Sequence, residues 1–343
     1  MNTLTNSFRI PSYLNATVPA EMIRGYRDDV RLLVLDSESG NTTHARFCEL
    51  GNFLKKGDLL LFNNSRTIPA VLEGEKIKIH LSRKREDETW EGLVIYEGED
   101  KGAENSFLLQ GNLTGRIIGN GSEHPLKIIS FSMEGEAFIN HLYTYGAPIR
   151  YEYIQSQWSL DAYQTVFASV PGSVEMPSAG RAFSWRLLEQ LKAQGINFAF
   201  LSLHTGLSYY GEDQWPNPTK HPESFEIPLE TEKLVNETKK RGGRVIAVGT
   251  TVVRAIESAR HVGDEIQAGK GLTTLYINEG YDLNVVDGLL TGFHEPEASH
   301  LHLLTSLIKE KQLMASYQEA LSQGYLWHEF GDVNLIISQS VPK

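Results

Sequence analysis

Residues 245–248 form a continuous apolar run, VIAV, which is followed by Gly249, Thr250 and Thr251 and then by apolar positions at helical spacing. Such a run is typical of a strand buried on both faces, Gly249 permits a sharp turn, and either threonine can cap a helix. The pattern predicts a strand that turns into an amphipathic helix, with unpaired amides at the helix start that face an anionic or polar ligand. On these residues alone, an ordinary strand-turn-helix connection with a threonine cap is the more frequent case.

Five short runs with strand character follow one another between residues 70 and 145. They read KIKIHL, WEGLVIY, SFLLQ, GRIIG and LKIISFS, and turn residues separate them. Short strands at such even spacing are typical of a small antiparallel barrel or sandwich. This part of the chain is therefore predicted to form a β-rich unit.

After Pro148, helical segments such as 185–194 alternate with apolar strands such as 198–203. This alternation is typical of an α/β fold. The earlier strand predicted at 59–62 is expected to join the same sheet, which makes the β-rich part an insertion. The predicted fold is an α/β main domain, residues 1–68 and 149–343, with an inserted antiparallel β-barrel domain, residues 69–148.

Polar and ionisable residues gather at the ends of the predicted elements. In an open α/β sheet a ligand binds at the carboxyl ends of the strands, where His204, Gly249 and Thr250 are expected. The other candidates are Tyr163, Gln164, Thr165, His221, Glu223, Asp287, Thr291 and His294. Several of them could serve one pocket, although each histidine taken singly is more often a hydrogen-bonded structural residue.

The segment HEPEASHLH, residues 294–302, contains three histidines and Glu297, and imidazole with carboxylate suits zinc or iron. Its spacing matches no common metal motif. Pro296 followed by Ser299 and an apolar rhythm indicates the start of a helix instead. No GxGxxG or GxxxxGK[ST] sequence occurs, so the usual signals of a dinucleotide or P-loop site are missing. We predict no metal site.

The composition, with 343 residues, 41% hydrophobic and 22% charged, is that of an ordinary soluble globular protein large enough for two domains. Cys48 is the only cysteine, which excludes an internal disulfide and a cysteine-rich zinc site and favours a reducing compartment. The first residues lack the pattern of a secretion signal, and no apolar run approaches the ~20 residues of a membrane span. We therefore expect a cytoplasmic protein with no membrane partner.

The formal net charge of −11 argues against broad attraction to nucleic acid, because such binding depends on many cationic contacts to phosphates. Two basic clusters, 83–85 and 239–241 with Arg244, could still form a local basic face. Short basic runs are more often solvated surface.

Several motifs, taken together and in order, resemble those of the S-adenosylmethionine:tRNA ribosyltransferase-isomerase family of queuosine biosynthesis. GDLLLFNNSRTIPA is similar to that family's GDLLVFNDTRVIPA, YQTVFA to its YQTVYA, and KHPESFEIP to its MHSEWFEVP, with His221 and Glu223 in register. GGRVIAVGTTVVRAIES and GYDLNVVDGLLTGFH also follow its pattern. The resemblance covers nearly the whole chain. It implies an α/β domain interrupted by a β-barrel, which agrees with the fold predicted above.

The chain departs from the family pattern in segments that the family uses around its pocket. MPSAGRAFS stands where APTAGLHFT is expected, so a histidine is replaced by Ala182 and a leucine by Arg181. HTGLSYYGED, TGFHEPEASHLHLL and YLWHEFGD are also altered, and Ala162 stands where an arginine is usual. These changes, with the added Glu295 and Glu297, indicate a divergent branch of the family and alter the charge offered to a ligand.

The resemblance implies transfer of the ribosyl group of S-adenosylmethionine to 7-aminomethyl-7-deazaguanine at the tRNA wobble position, giving epoxyqueuosine. Adenine and methionine leave. S-adenosylmethionine is then a co-substrate, tRNA is the expected partner, and no metal or redox cofactor is required. The positive sulfur acidifies the adjacent ribose carbon, so one positioned base can remove that proton, open the sugar and expel adenine.

Roles in this chemistry can be assigned to the candidate residues as hypotheses. His221, His204 and His294 are the proton-transfer candidates, and Glu223 or Asp287 could orient one of them or face the sulfonium. The residues expected to contact the substrates are Asn64, Arg66, Tyr163, Gln164, Thr165, Gly249, Thr250, Thr251, Arg254, Asp287 and Thr291. Arg254 can alternatively make a helix-face contact with Glu257.

Two other functions stay open from the sequence. A paralogue could keep the sulfonium donor site and act on a small molecule or another nucleoside. A binding protein could keep the fold and have lost turnover through the histidine and arginine replacements. The sequence leaves the oligomeric state undetermined.

Overall fold

The computed structural model describes residues 8–97, 105–211, 214–295 and 299–339. The strands are β1 (Arg31–Asp36), β2 (Thr42–Arg46), β3 (Leu59–Asn63), β4 (Ser65–Thr67), β5 (Val71–Glu73), β6 (Ile77–Lys84), β7 (Trp90–Tyr96), β8 (Ser106–Leu109), β9 (Leu113–Asn120), β10 (Lys127–Phe131), β11 (Val170–Ser173), β12 (Asn197–Leu203), β13 (Glu223–Ile227), β14 (Val245–Val248), β15 (His261–Val262), β16 (Glu265–Ile266), β17 (Gly269–Thr273), β18 (Gly288–Gly292) and β19 (Val333–Ile337).

The α-helices are α1 (Ala20–Arg24), α2 (Gly135–Tyr145), α3 (Trp185–Ala193), α4 (Leu229–Lys240), α5 (Thr250–Glu257), α6 (Ser299–Leu304) and α7 (Glu310–Ser322). Short 3₁₀ helices occur at Ser12–Leu14, Phe47–Phe53, Gln110–Asn112, Leu160–Tyr163 and Ser178–Gly180. In the described part of the chain, no helix is both long enough and apolar enough to cross a membrane.

A nine-stranded mixed sheet is the centre of the molecule, in the order β17-β13-β12-β3-β14-β18-β19-β1-β2. Its middle strands β12, β3, β14 and β18 pair in parallel. Antiparallel pairs add β13 and β17 on one side and β19 on the other, where β1 pairs with β19 in parallel and β2 with β1 antiparallel. The prediction that the early strand at 59–62 joins the later α/β layer is confirmed, because β3 lies between β12 and β14.

Both faces of this sheet are covered, which explains the continuous apolar runs in the sequence. Along β14, Val245 and Ala247 belong to one hydrophobic core, whereas Ile246 and Val248 belong to the other. Residues from α4 to α7 pack in the first core, and those of α3 pack in the second. The alternation follows from the two-residue period of a strand. The strand predicted at 245–248 is therefore confirmed as buried on both faces.

A second, six-stranded antiparallel sheet contains all five strand-like runs found in the sequence between residues 70 and 145. Its order is β5-β6-β7-β10-β9-β8, and an isolated bridge between Gly74 and Leu109 brings its two edges together. Phe138 and Leu142 of α2 pack into its core. The sheet is thus barrel-like and nearly closed, while the domain boundaries at 68/69 and 148/149 stay a prediction.

The loop after β12 joins the two sheets. Leu207 and Val174 are buried in the same core as the barrel-like sheet, and the amide of Leu207 donates to Ser82 Oγ of β6 over 3.4 Å. Farther along the loop, the hydroxyl of Tyr210 donates to Glu123 over 3.1 Å. These contacts hold the loop across the carboxyl ends of the parallel strands and form one side of a cleft.

Candidate functional site

A cleft of about 570 Å³ lies where strands β12, β14 and β18 end. That volume is within the usual range for small-molecule sites, and the position is the one expected for a ligand in an α/β sheet. The predicted residues that line it are Tyr163, His221, Glu223, Gly249, Thr250, Thr251, Arg254, Thr291 and His294. Residues that are up to 131 positions apart in the chain thus meet at one site.

The turn between β14 and α5 has a backbone that requires glycine. Gly249 has φ +103° and ψ 149°, a region that residues with a side chain rarely adopt. The expected threonine cap is wrong: Gly249 is the N-cap residue, and no side chain caps the helix. Thr250 and Thr251 are the first helical residues, so their amides have no intrahelical acceptor and are available to an anion in the cleft.

Arg254 of α5 and Glu223 of β13 form an ion pair on the cleft wall through Nη1 and Oε2. The Arg254 Nε also donates to the carbonyl of Leu275 over 3.0 Å, whereas its Nη2 is buried with no hydrogen-bond partner in the described part of the chain. The alternative contact with Glu257 is wrong, because that carboxylate accepts backbone amides of residues 284–286 instead. Arg254 therefore offers one unpaired donor to a ligand.

His221 is buried in the cleft with only 4% of its surface exposed. Its Nε2 lies 3.4 Å from Ser82 Oγ, and its Nδ1 has no hydrogen-bond partner among the residues that the structure describes. Burial lowers the pKa of His221, an effect that the nearby Glu223 carboxylate partly offsets. A Cβ at Gly206 would lie 2.4 Å from Nε2, so only glycine allows the loop to approach the ring this closely. The imidazole is neutral near pH 7 and can accept a proton.

His294 also lines the cleft, beside His300. The two ring centroids are 4.9 Å apart, and His294 Nε2 lies 2.8 Å from Thr291 Oγ1. Burial, and then repulsion from His300, lower the pKa of His294 to about 3. The ring therefore stays neutral at any ordinary working pH and suits a hydrogen-bonding role better than holding a proton.

Six predicted site residues lie outside the cleft lining: Asn64, Arg66, Gln164, Thr165, His204 and Asp287. Gln164 instead fixes the backbone of Thr67, accepting from its amide over 3.0 Å and donating to its carbonyl over 2.8 Å. Asn64 accepts a hydrogen bond from the Ser202 hydroxyl over 2.7 Å. The side-chain amides of Gln164 and Asn64 therefore make hydrogen bonds that stabilise the fold.

His204 and Asp287 also have structural surroundings. The Nδ1 of His204 lies 2.8 Å from Ser65 Oγ, and the ring packs on Gly172. Asp287 accepts the amide of Val245 over 2.8 Å, which places it at the amino end of β14, opposite to the end where the cleft opens. The structure therefore does not bring either residue to the cleft.

Arg181 lies outside the cleft lining as well and is only 3% exposed. Its guanidinium donates to both carboxylate oxygens of Glu21, over 2.8 and 3.2 Å, and its Nε donates to the carbonyl of Ala162 over 2.9 Å. The ring of Phe330 stacks beneath it at 4.8 Å. Arg181, which replaces the leucine expected from the family pattern, thus contacts three residues that are distant in the sequence.

Four residues that the sequence reasoning did not select line the cleft: Tyr151, Tyr153, Glu175 and Glu329. The Tyr151 hydroxyl donates to Glu175 and the Tyr153 hydroxyl donates to Glu329. All four lie in irregular segments, where periodicity carries no signal. For these four residues, the indication in the sequence was the motif YLWHEFGD, which contains Glu329 and departs from the family pattern.

His328 and Glu295 extend this part of the cleft. His328 Nδ1 lies 2.9 Å from Glu295 Oε1, and its ring stacks on Tyr153 with centroids 4.2 Å apart. Both residues also lie in motifs that depart from the family pattern. Two of the departures from the family pattern, at Glu295 and His328, therefore meet on one wall of the cleft.

The histidine-rich segment 294–302 does not gather its side chains around one point. His302 turns to the hydroxyl of Tyr276, with 2.5 Å between Nδ1 and Oη, and Glu297 and Pro296 lie outside the described residues. In the ranges that the structure describes, no three His, Cys, Asp or Glu side chains are placed to share a metal ion. The helix predicted to start at Ser299 is confirmed as α6.

The two basic clusters are neutralised within the molecule. Arg83 and Arg85 both contact the buried Glu91, and Lys84 pairs with Glu88. In the second cluster, the ion pairs are Lys239 with Asp287, Lys240 with Glu265, Arg241 with Glu237 and Arg244 with Asp58. Neither cluster presents the unpaired charge that a phosphate-binding face needs.

Comparison with known proteins gives one consistent result. The family model described as "Queuosine biosynthesis protein" matches residues 4–336. The S-adenosylmethionine:tRNA ribosyltransferase-isomerase of Desulforamulus reducens is 33% identical over 340 residues, covering 96% of this chain and 98% of the relative. The enzyme of that name from a Nostoc species is 35% identical over 347 residues, covering 92% and 87%.

A solved structure agrees with these relatives. The crystal structure of the S-adenosylmethionine tRNA ribosyltransferase of Thermotoga maritima is similar with a TM-score of 0.55 and 26% identity, covering 96% of this chain and 99% of that one. The similarity therefore extends over both sheets.

Proposed function

The chain belongs to the queuosine biosynthesis protein family and is an S-adenosylmethionine:tRNA ribosyltransferase-isomerase, and we propose that the cleft beside Gly249 is its active site. In this reaction the ribosyl group of S-adenosylmethionine is transferred to tRNA and rearranged. The acceptor in this proposal is 7-aminomethyl-7-deazaguanine, and the product is epoxyqueuosine. Three unpaired groups in one cleft support the assignment: the first amides of α5, Arg254 Nη2 and His221 Nδ1.

The start of α5 receives the carboxylate of the donor's methionine part. The amides of Thr250 and Thr251 and the partial positive charge of the helix end attract an anion, and Arg254 Nη2 adds a charged donor. Glu223 keeps Arg254 in place through the ion pair. Gly249 keeps the amides clear, because its conformation admits no side chain without strain.

His221 removes the proton from the ribose carbon next to the sulfonium. The lowered pKa keeps the ring neutral near pH 7, and the unpartnered Nδ1 is free to accept the proton. The electron pair left on carbon opens the sugar and expels adenine. Attack by the acceptor amine and closure of the epoxide then release methionine. The sequence consists of proton transfer, elimination and addition, so its electron balance needs no external oxidant or reductant.

His294 and Thr291 hold a ribose hydroxyl or the leaving base by hydrogen bonds rather than by proton exchange. The 2.8 Å contact between them fixes the orientation of the imidazole. Tyr163 contributes a phenol that has no hydrogen-bond partner among the described residues. His204, Asp287, Asn64 and Gln164 have structural partners and take no part in this mechanism.

The test is adenine release from S-adenosylmethionine, with and without tRNA that carries the aminomethyl base. The wild-type protein should release adenine in step with formation of the cyclopentane-bearing nucleoside, detected by mass spectrometry. His221→Ala should lose both while its circular dichroism is unchanged. His261→Ala, an exposed histidine of β15, is the matched control and should behave like the wild type.

Each result that contradicts the proposal is distinct. Full adenine release by His221→Ala removes this histidine from the chemistry. Adenine release that needs a free nucleoside rather than tRNA assigns the chain to a small-molecule acceptor. Binding of S-adenosylmethionine without any adenine release by the wild type indicates a binding protein.

A further inference from the structure

One wall of the cleft carries an unusual set of side chains that the proposed chemistry does not use. We call Tyr151, Tyr153, Glu175 and Glu329 the acidic wall. The two tyrosine rings are stacked with centroids 6.1 Å apart, and each hydroxyl donates to one of the two carboxylates. The carboxylates therefore lie near each other on the same side of the cleft.

In the part of the chain that the structure describes, neither carboxylate of the acidic wall forms a salt bridge. The nearby His328, whose charge lowers the pKa of Glu329, forms its salt bridge with Glu295 instead. Glu175 accepts hydrogen bonds on Oε1 from Tyr151 and from the amide of Ser208 over 2.9 Å, and the Ser208 side chain also donates to the carboxylate. A carboxylate has about four acceptor positions, so capacity is left for a donor on a ligand.

In the absence of a ligand, burial makes the ionised forms of Glu175 and Glu329 energetically unfavourable. It raises the pKa of Glu329 and raises the pKa of Glu175 to about 7, against the opposing hydrogen bonds from Tyr151 and Ser208. Glu329 itself adds to the rise at Glu175 because the two carboxylates repel. A cation bound between them would compensate both effects, and such uncompensated groups occur mostly at functional sites.

Aromatic faces continue from the acidic wall. The ring of Tyr209 lies 6.2 Å from Tyr151, and Trp215 lies 5.0 Å from Tyr209. All three rings line the cleft. Aromatic rings of this kind pack against a flat heterocycle.

Two further polar groups of the cleft are buried without a hydrogen bond in the ranges that the structure describes. They are the hydroxyl of Tyr163 and the Oγ1 of Thr67, and these residues are 4% and 1% exposed. Tyr163 lies near Glu329, whose charge is one cause of the raised pKa of that phenol. Buried polar groups are normally satisfied, so a polar ligand is expected to complete them.

We infer that the acidic wall is a subsite for a primary ammonium group attached to a planar aromatic base. The inference rests on the proposed function, in which the aminomethyl substituent of the deazaguanine acceptor is such a group. An ammonium has three N–H donors and no acceptor, which suits the remaining acceptor positions of the Glu175 and Glu329 carboxylates. An anionic ligand is disfavoured by the same two charges.

The experiment measures binding of two free nucleobases, 7-aminomethyl-7-deazaguanine and 7-methyl-7-deazaguanine, by calorimetry at pH 8. The wild type should prefer the amine by at least about tenfold, because the methyl analogue leaves both carboxylates uncompensated. Glu175→Gln and Glu329→Gln should each lose most of this preference and bind the methyl analogue as before. Glu226→Gln, which removes a carboxylate of β13 that pairs with Lys270, is the matched control and should keep it.

The pH dependence separates a ligand-binding role from a structural one. Amine binding by the wild type should weaken as the pH falls through about 7, because Glu175 then gains a proton. This dependence should be lost in Glu175→Gln. In Tyr151→Phe the carboxylate stays but loses a hydrogen bond that lowers its pKa, so the midpoint should move upward.

Equal affinity of the wild type for both bases, or an undiminished preference in Glu175→Gln, would overturn the subsite. Adenine release with tRNA is measured in parallel. If the wild type forms product but shows no amine preference, only the subsite fails. If the amine preference depends on Glu175 but no product forms on tRNA, the proposed function fails and the subsite stands.

Discussion

Replacing Gly249 by alanine tests whether the turn before α5 is built for a ligand. At φ +103° and ψ 149° an alanine is strained, at a cost of about 1–3 kcal/mol. Space is not the obstacle, because the new Cβ would meet its nearest neighbour, the Cβ of Ala179, at 3.4 Å, an ordinary contact. The whole effect should therefore come from the backbone, which either stays strained or shifts the amides of Thr250 and Thr251.

The assay combines thermal unfolding with calorimetric titration of S-adenosylmethionine. Gly249→Ala should be less stable and should bind the donor at least about tenfold more weakly, because an anion held by oriented amides loses them when the backbone moves. Gly242→Ala is the matched control: it has φ +70°, no atom within 4 Å of the added Cβ, and a position outside the cleft. It should lose about 1–2 kcal/mol of stability and bind the donor normally. Wild-type donor affinity in a destabilised Gly249→Ala protein would refute the reasoning.

Three further predictions follow from the site and its surroundings. At saturating tRNA, the kcat/KM of S-adenosylmethionine for adenine release should fall as the pH drops through the lowered pKa of His221, below 6.5, because the neutral ring is the base; a pH profile with no acid limb would contradict this. Arg254→Met should lower the free energy of unfolding, measured by denaturant titration, by about 3–5 kcal/mol because it leaves Glu223 buried and unpaired. Adding Glu223→Gln should restore part of this free energy, and a double variant no more stable than Arg254→Met alone would contradict the ion-pair account. Arg181→Met should lower the free energy of unfolding by about 1–3 kcal/mol, because the partner Glu21 has 22% of its side chain exposed to water, and should leave donor affinity unchanged because Arg181 lies outside the cleft; a weakened donor affinity would place Arg181 at the site.

The elements were largely predictable from the apolar pattern. The buried runs at 59–62 and 245–248 and the five strands of the second sheet are found where their periodicity places them. Strand order was less accessible, because pairing between distant segments depends on packing of whole layers. For example, β3 pairs with β12 and β14, which both come much later in the chain.

The site was predictable next to the strand ends and within the motifs that resemble the family's, and not in the other loops. Thr291 and His294 were selected because they end β18, and they line the cleft, whereas Asp287 precedes that strand and is held at its opposite end. The direction of the strand could have separated them. The contact between Tyr153 and Glu329 joins residues 176 positions apart in irregular segments, and no local pattern encodes it.

The most direct test of the central claim uses S-adenosylmethionine labelled with ¹³C in all ribose carbons. After incubation with tRNA carrying 7-aminomethyl-7-deazaguanine, the nucleosides are analysed by mass spectrometry. The account predicts that the wobble nucleoside gains the complete labelled ribose skeleton and that adenine is released in equal amount. Unlabelled tRNA, together with unchanged S-adenosylmethionine, would contradict it.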